Sequence, residues 1–329
     1  MSHKIEVFGD FYSKEKVNFG FDFENNSFVN LECPIIDVMD EFKPESGKVN
    51  LSADFEVLSS FSNISTTFTV ANNHMLDFGG RGLSSTLRKL DSLGFNYLGT
   101  KEIEFVVVEG TNVAVINAVS ESSGIKRNGE LLFVDSERLK LIVSELKNNY
   151  RILLIAHWGD EECKLPRPDE VALAHELIDI GVSCIIGHHA HVIQCAEIYQ
   201  GKYIFYGIGN LFFPDIDQPS HFEDGIYKRT FKKKQGTQNK KSISIVLNEY
   251  LELVQIKKYS FKSNLVSYCG DLKFKSIDKT NLINSPSYFN KYKSSKINGQ
   301  RKSMISRFLM EPKLSKFVNI LKFVKPRGE

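Results

Sequence analysis

The sequence predicts an α/β fold in which helices cover a central sheet. Three observations predict it. Short apolar runs, most of them rich in β-branched or aromatic residues, recur through residue 206, as strands buried on both faces do. Stretches with helical spacing alternate with them. Five runs pass directly into polar residues, and loops at the C-terminal ends of strands in such sheets converge on one crevice.

The runs fall at residues 5–8, 28–31, 68–71, 113–118, 152–156, 184–186 and 203–206. Leu83, Leu87, Leu90 and Leu93 mark a first helix, with Gly94 as its stop. Residues 136–148 and 169–180 give two more, for which Asp135 and Asp169 suit the starts and Gly181 caps the second. After Pro214 the chain turns polar, and residues 215–241 read as a mobile loop ending in Lys232-Lys233-Lys234 and Lys240-Lys241. Residues 242–247 and 251–256 form a closing hairpin around Asn248-Glu249-Tyr250. Residues 260–300, rich in Ser, Asn and Lys, read as irregular surface structure, so the expected division is a domain of 1–259 and a segment of 260–329.

Of 329 residues, 42% are apolar and 25% charged, enough for a sizeable core and too apolar for wholesale disorder. The net charge of +2 speaks against a strongly basic nucleic-acid binder, and no nucleic-acid partner is expected. That sum hides two unlike parts. Residues 291–329 hold 11 Lys/Arg against 2 Asp/Glu, a net of +9, which leaves the body at −7. Within the tail, Pro312 suits a helix start, and Leu314, Phe317, Val318, Leu321 and Val324 follow helical spacing among lysines. Such a basic amphipathic helix suits an anionic membrane surface.

Five cysteines without CxxC spacing favour free thiols and a reducing compartment. The N-terminus opens on a strand-like run without the apolar segment of a signal peptide, and no stretch reaches the ~20 apolar residues of a membrane span. The expectation is a cytoplasmic protein, peripheral at the membrane through its tail.

The chemistry lies at the strand ends. These read Gly9-Asp10, Asn30-Leu31-Glu32, Asn72-Asn73-His74, His157-Trp158-Gly159-Asp160 and Gly187-His188-His189-Ala190-His191. Taken singly, most have an ordinary explanation: Asp caps turns, Asn tolerates left-handed backbone, and a histidine beside the sole Trp can be core. The last stretch is different, with three of eight histidines within four residues. Together the carboxylates Asp10, Glu32 and Asp160, the amides and the imidazoles suit borderline divalent ions such as Mn, Fe, Zn or Co. A pair of such ions about 3.5–4 Å apart, sharing one carboxylate, is the arrangement used in phosphoester hydrolysis. The Gly79-Gly80-Arg81-Gly82 stretch lacks the Lys-Ser/Thr ending of a phosphate-binding loop.

In this order, the motifs resemble the CapA family of bacterial capsule and poly-γ-glutamate synthesis proteins. The stretches Glu32-Cys33-Pro34, Asn73-His74-Met75-Leu76-Asp77-Phe78-Gly79 and Gly207-Ile208-Gly209-Asn210-Leu211-Phe212 extend the likeness across residues 5–213. The resemblance implies a calcineurin-like metallophosphatase fold, four-layered as α/β/β/α. It also implies roles. Asp10 and His191 would ligate one metal, Asn73, His157 and His189 a second, and Glu32 would bridge them. His74 would act as the outer acid with Asp77 orienting it, while His188 and Asn210 would support the ligands or bind substrate. Classical metallophosphatases open with Asp-x-His where this chain has Asp10-Phe11-Tyr12. The implied activity is a metal-dependent hydrolase acting on a phosphorylated or polymeric substrate. The alternative is a non-catalytic assembly factor that recruits a membrane-associated synthesis complex through the basic tail.

Overall fold

Residues 3–23, 26–36, 43–62 and 65–308 are described by a computed structural model. Among them, nine strands form one sheet and six a second. The hub of the first is Lys4–Phe11, paired in parallel with Ser27–Leu31 and Asn210–Phe212 and antiparallel with Lys241–Asn248. Thr66–Thr69 and Asn96–Leu98 continue the parallel part outward from Ser27–Leu31. The second sheet is centred on the parallel strands Val113–Val119, Arg151–His157, Cys184–His188 and Lys202–Phe205. All seven apolar runs are strands, and the expectation of an α/β fold holds.

Strand alternation decides what each face meets. Val7, Phe28 and Ile245 of the first sheet share an apolar cluster with Val115, Ile155 and Ile186 of the second. Their neighbours Phe8, Val29 and Phe68 point the other way, into a cluster with Leu83 and Leu90 of helix α1 (Gly79–Ser92). On the far face of the second sheet, Ile116, Leu154 and Ile185 share a cluster with helices α2 (Glu137–Leu146) and α3 (Pro168–Ile180). Each side chain buried this way contributes roughly 1.5–3 kcal/mol.

Two helix starts differ from expectation. For α2 the cap is Ser136, whose Oγ accepts from Leu139 N at 3.2 Å, because Asp135 is engaged by Arg127. For α3, Pro168 presets the first turn, and Glu170 closes it by accepting from Arg167 N at 3.3 Å. Asp169 instead pairs with the Arg167 guanidinium at 2.6 Å.

The polar stretch expected as a mobile loop is instead a β-hairpin, Ile216–Glu223 with Ile226–Lys233. Its turn is Asp224-Gly225 at φ +52° and +82°, a pair that makes the tight turn whose twist suits two strands. Residues 260–300 are likewise ordered. Leu265–Asp271 extends the first sheet, and helices α4 (Thr280–Ile283) and α5 (Tyr288–Phe308) follow. Asp160 anchors α5 through the Tyr292 hydroxyl and Lys296 Nζ, the latter at 2.8 Å. The closing hairpin is present as Lys241–Asn248 and Leu253–Lys262, and all five cysteines are free thiols. No described helix is long and apolar enough to cross a membrane. The amphipathic helix expected from Pro312 onward lies outside the described residues.

Candidate metal centre

Two glycines let the strand ends close on one another. A Cβ on Gly9 would lie 1.9 Å from the Gly209 carbonyl oxygen, and one on Gly187 2.0 Å from that of Tyr206. Only a residue without a side chain fits either place. Pairing then sets the partners side by side, with Asp10 opposite both Asn30 and Asn210, and His157 opposite His188. The next turn holds His189 and His191 at φ +79° and +55°, a backbone state that costs non-glycine residues energy and often marks functional loops.

The result is a fully buried group of titratable side chains. Asp10, Glu32 and His157 are 0% exposed. Glu32 Oε1 lies 3.7 Å from His157 Nε2 and 3.6 Å from His191 Nε2, and meets no hydrogen-bond donor. Ligand atoms of Glu32, His157 and His189 fall within 4.8 Å of one another, and so do those of Asp10, Glu32 and His191. Glu32 belongs to both triads. His157 Nε2 and Asn73 Oδ1 approach to 2.8 Å, a separation that a proton or a cation between two lone pairs explains.

Surrounding bonds fix the rings. Asn210 Nδ2 donates to Asn239 O, so its Oδ1 accepts from His191 Nδ1–H at 2.8 Å and leaves Nε2 turned toward Glu32 Oε1. His188 Nε2–H donates to Phe8 O at 2.9 Å, and its Nδ1 is buried without a partner, as is that of His189. The His189 backbone N–H donates to Asp10 Oδ2 at 3.1 Å. His74, at the edge, places Nδ1 2.7 Å from Asp77 Oδ2. Asp77 Oδ1 in turn meets Lys48 Nζ at 2.7 Å.

Electrostatics follow from burial and crowding. Burial, then the Asp10 carboxylate, push Glu32 well above the ordinary carboxylate range. Burial pushes Asp10 the same way, but its hydrogen bond with His191 prevails and holds it low. Burial lowers His157 strongly and His189 to about 4, so both are neutral and able to ligate at ordinary pH. The residues fit a cation: neutral imidazoles, a low-pKa aspartate and an orphaned buried carboxylate oxygen face one another, a donor set suited to borderline divalent ions.

The structure brings together Asp10, Glu32, Asn73, His157, His189 and His191, with His74–Asp77 beside them and His188 and Asn210 bonded to their supports. It does not bring in Asp160, which Tyr292 and Lys296 claim. Sequence reasoning gave no role to Asn30. Its Nδ2 lies 2.9 Å from Asp10 Oδ1, 3.4 Å from Glu32 Oε2 and 3.4 Å from His157 Nδ1, joining three strand ends. Strand alternation was the available signal, since residues 30 and 32 share a face. Asn72 supports Asn30 by donating to its Oδ1 at 3.1 Å. Lys48 and Lys233 were also missed; Lys233 is buried against Glu161 at 3.0 Å and Glu162 at 3.1 Å.

The family model described as bacterial capsule synthesis protein PGA_cap matches residues 21–215, well over half the chain. The chain belongs to that family. Among curated relatives, it is 28% identical over 213 residues to the capsule biosynthesis protein CapA of Bacillus anthracis, covering 58% of this chain and 51% of that protein. It is 28% identical over 252 residues to the PGA biosynthesis protein CapA of Bacillus subtilis, covering 72% and 65%. A probable polyglutamine synthesis accessory protein of Mycobacterium tuberculosis is 30% identical over 165 residues, covering 43% of each. The chain thus spans between about two fifths and two thirds of the length of these relatives. The CapA likeness read from the strand-end motifs holds at the level of the family.

Proposed function

We propose that the chain is a metal-dependent hydrolase of the calcineurin-like phosphoesterase type, acting on a phosphorylated or polymeric substrate in capsule or polyglutamate synthesis. One observation carries this reading: the buried, donorless Glu32 Oε1 between two imidazole nitrogens, shared by two carboxylate–histidine triads. The stacking of apolar clusters, α1 against one sheet and α2 with α3 against the other, supports the four-layer α/β/β/α arrangement of that fold. The relatives' names supply the pathway.

In this reading Asp10, Glu32 and His191 would hold one divalent ion, and Glu32, His157, His189 and Asn73 would hold a second. When bound, such ions supply the Lewis acidity that activates water and offsets charge on a phosphoryl or carbonyl oxygen. His74 lines the cavity over the centre, and Asp77 holds its Nδ1 so that Nε2 can deliver a proton to the leaving oxygen. Asn30 and Asn210 keep the carboxylate and the imidazole in register.

The test begins with metal analysis of the purified chain, followed by assays on a phosphomonoester and a phosphodiester. Two equivalents of metal and ester hydrolysis are expected, with His74→Ala slower by about 10²–10⁴-fold. A metal-loaded protein that cleaves neither ester, in cells whose polymer output survives His74→Ala, would point to the non-catalytic assembly factor instead.

A further inference from the structure

The cavity over the candidate centre has a volume of about 520 Å³, and its lining joins Asn73, His74 and His191 to the hairpin of Ile216–Glu223 and Ile226–Lys233. The family match ends at residue 215, one residue before that hairpin begins. The hairpin is firmly seated. His221 N donates to Lys48 O at 2.9 Å, and Gln218 Nε2 to Asn50 O at 2.6 Å. Gln218 Oε1 also faces the Tyr12 hydroxyl at 3.4 Å, two residues after Asp10, where classical metallophosphatases carry a histidine.

The cavity lining includes four Lys/Arg side chains, Lys48, Arg229, Lys232 and Lys233, against one acid, Glu161. Three of the four cations have carboxylate partners. Lys48 meets Asp77 at 2.7 Å and Glu45 at 2.6 Å, Lys232 meets Asp217 at 2.9 Å, and Lys233 meets Glu161 and Glu162. Arg229 is exposed, and among the described residues its guanidinium makes no ion pair or hydrogen bond. A guanidinium presents a rigid fork of donors matched to an oxyanion, and here the chain supplies none.

We infer that Arg229 is a specificity-determining residue, holding a carboxylate or phosphate of the substrate at a second point beyond the group bound at the candidate centre. The inference rests on reading that centre as the substrate site. It makes the hairpin a charge-selective wall: an extended anion gains a contact that a neutral molecule of the same length does not.

Calorimetric titration of the full chain, without added metal, tests this with hexaglutamate, hexaglutamine and tripolyphosphate. Arg229→Ala should weaken binding of an anion about tenfold, with affinity only partly recovered in Arg229→Lys, which keeps the charge but not the fork, and hexaglutamine unaffected by either change. Loss confined to hexaglutamate identifies a carboxylate ligand, and loss confined to tripolyphosphate a phosphate. No measurable binding of either anion by the wild type overturns the inference, as does equal affinity in wild type and Arg229→Ala, or an equal loss for hexaglutamine. Binding is read here without turnover. A wild type that binds hexaglutamate through Arg229 yet hydrolyses no ester sinks the hydrolase reading alone.

Discussion

Glu32 and Glu197 are both fully buried carboxylates, each with one oxygen that meets no hydrogen-bond donor. They differ in what surrounds them. The other oxygen of Glu197 accepts from the Tyr206 hydroxyl and lies 2.9 Å from His175 Nε2, whose ring stacks on Tyr199 at 3.8 Å. Glu32 receives one long contact, 3.4 Å from Asn30 Nδ2, and otherwise faces Asp10 and imidazoles with lone pairs. The protein serves the first carboxylate with donors. It surrounds the second with further acceptors, an arrangement that costs several kcal/mol unless a cation or a proton offsets it. Burial alone therefore does not mark a site; burial among acceptors does.

The most direct way to break this comparison is to neutralise each carboxylate in turn. Glu32→Gln should lose metal affinity by at least about 100-fold, because both triads lose their shared ligand. Manganese at a hundredfold excess over its dissociation constant stabilises a folded protein by about 2.7 kcal/mol, and that thermal shift should vanish in Glu32→Gln. The metal-free variant should melt above the metal-free wild type, since an amide avoids the cost of burying the Glu32 carboxyl beside Asp10. Glu197→Gln should keep its metal and its shift. Reversal of either result, by metal analysis and thermal melts, would remove the distinction.

A second measurement separates the two histidine–carboxylate pairs. Asp77 holds His74 Nδ1 at 2.7 Å and is itself held by Leu51 N at 2.6 Å and Lys48. Asp77→Asn preserves the shape but cannot stabilise a protonated imidazole, so ester hydrolysis should slow by roughly 10–100-fold, chiefly in kcat. Glu197→Gln changes the partner of His175 on the far face of the second sheet and should leave kcat alone. A kcat loss shared by both variants would trace the effect to folding.

The candidate centre was readable because its side chains lie where short-range rules reach. Each follows an apolar run directly, and parallel pairing collects strand ends irrespective of sequence separation. What escaped depends on longer reach. Asp160 has the right chemistry and position in its motif, yet Tyr292 and Lys296, more than 130 residues later, take it for helix anchoring. The hairpin was hidden because it packs over a polar cavity. Its inward positions include Gln218, Ser220 and Lys233, so no apolar alternation marks it, and only Asp224-Gly225 betrays the turn. Helix α5 docks through hydroxyls, with Tyr288 donating to Pro166 O at 2.6 Å, and shows no apolar stripe for a sequence reader to find.

The donor-served carboxylate has a stability signature of its own. Glu197→Gln leaves Tyr206 and His175 with a weaker acceptor and an amide to satisfy, which should cost about 1–3 kcal/mol. Chemical denaturation would show a lower midpoint at unchanged slope. An unchanged midpoint would mean that the Tyr206–Glu197–His175 contacts are not what stabilises this face.

Glu170 shows a third solution for a buried carboxylate: retaining its proton. It accepts from Ser122 Oγ at 2.7 Å and from Arg167 N at 3.3 Å, behind the turn that follows His157. Burial, only partly offset by those bonds, raises its pKa from an ordinary 4.5 to about 7. Between these values the folded chain holds a proton that the unfolded chain has released. Its contribution is therefore complete below about pH 4.5 and is lost as pH rises through 7. Glu170→Gln removes that titration. Relative to the variant, the wild type should lose about 2–3 kcal/mol between pH 5 and pH 8, read as diverging melting temperatures across the window. Parallel profiles would mean that Glu170 is ionised in the folded state throughout, and that Ser122 and Arg167 serve it as Tyr206 and His175 serve Glu197.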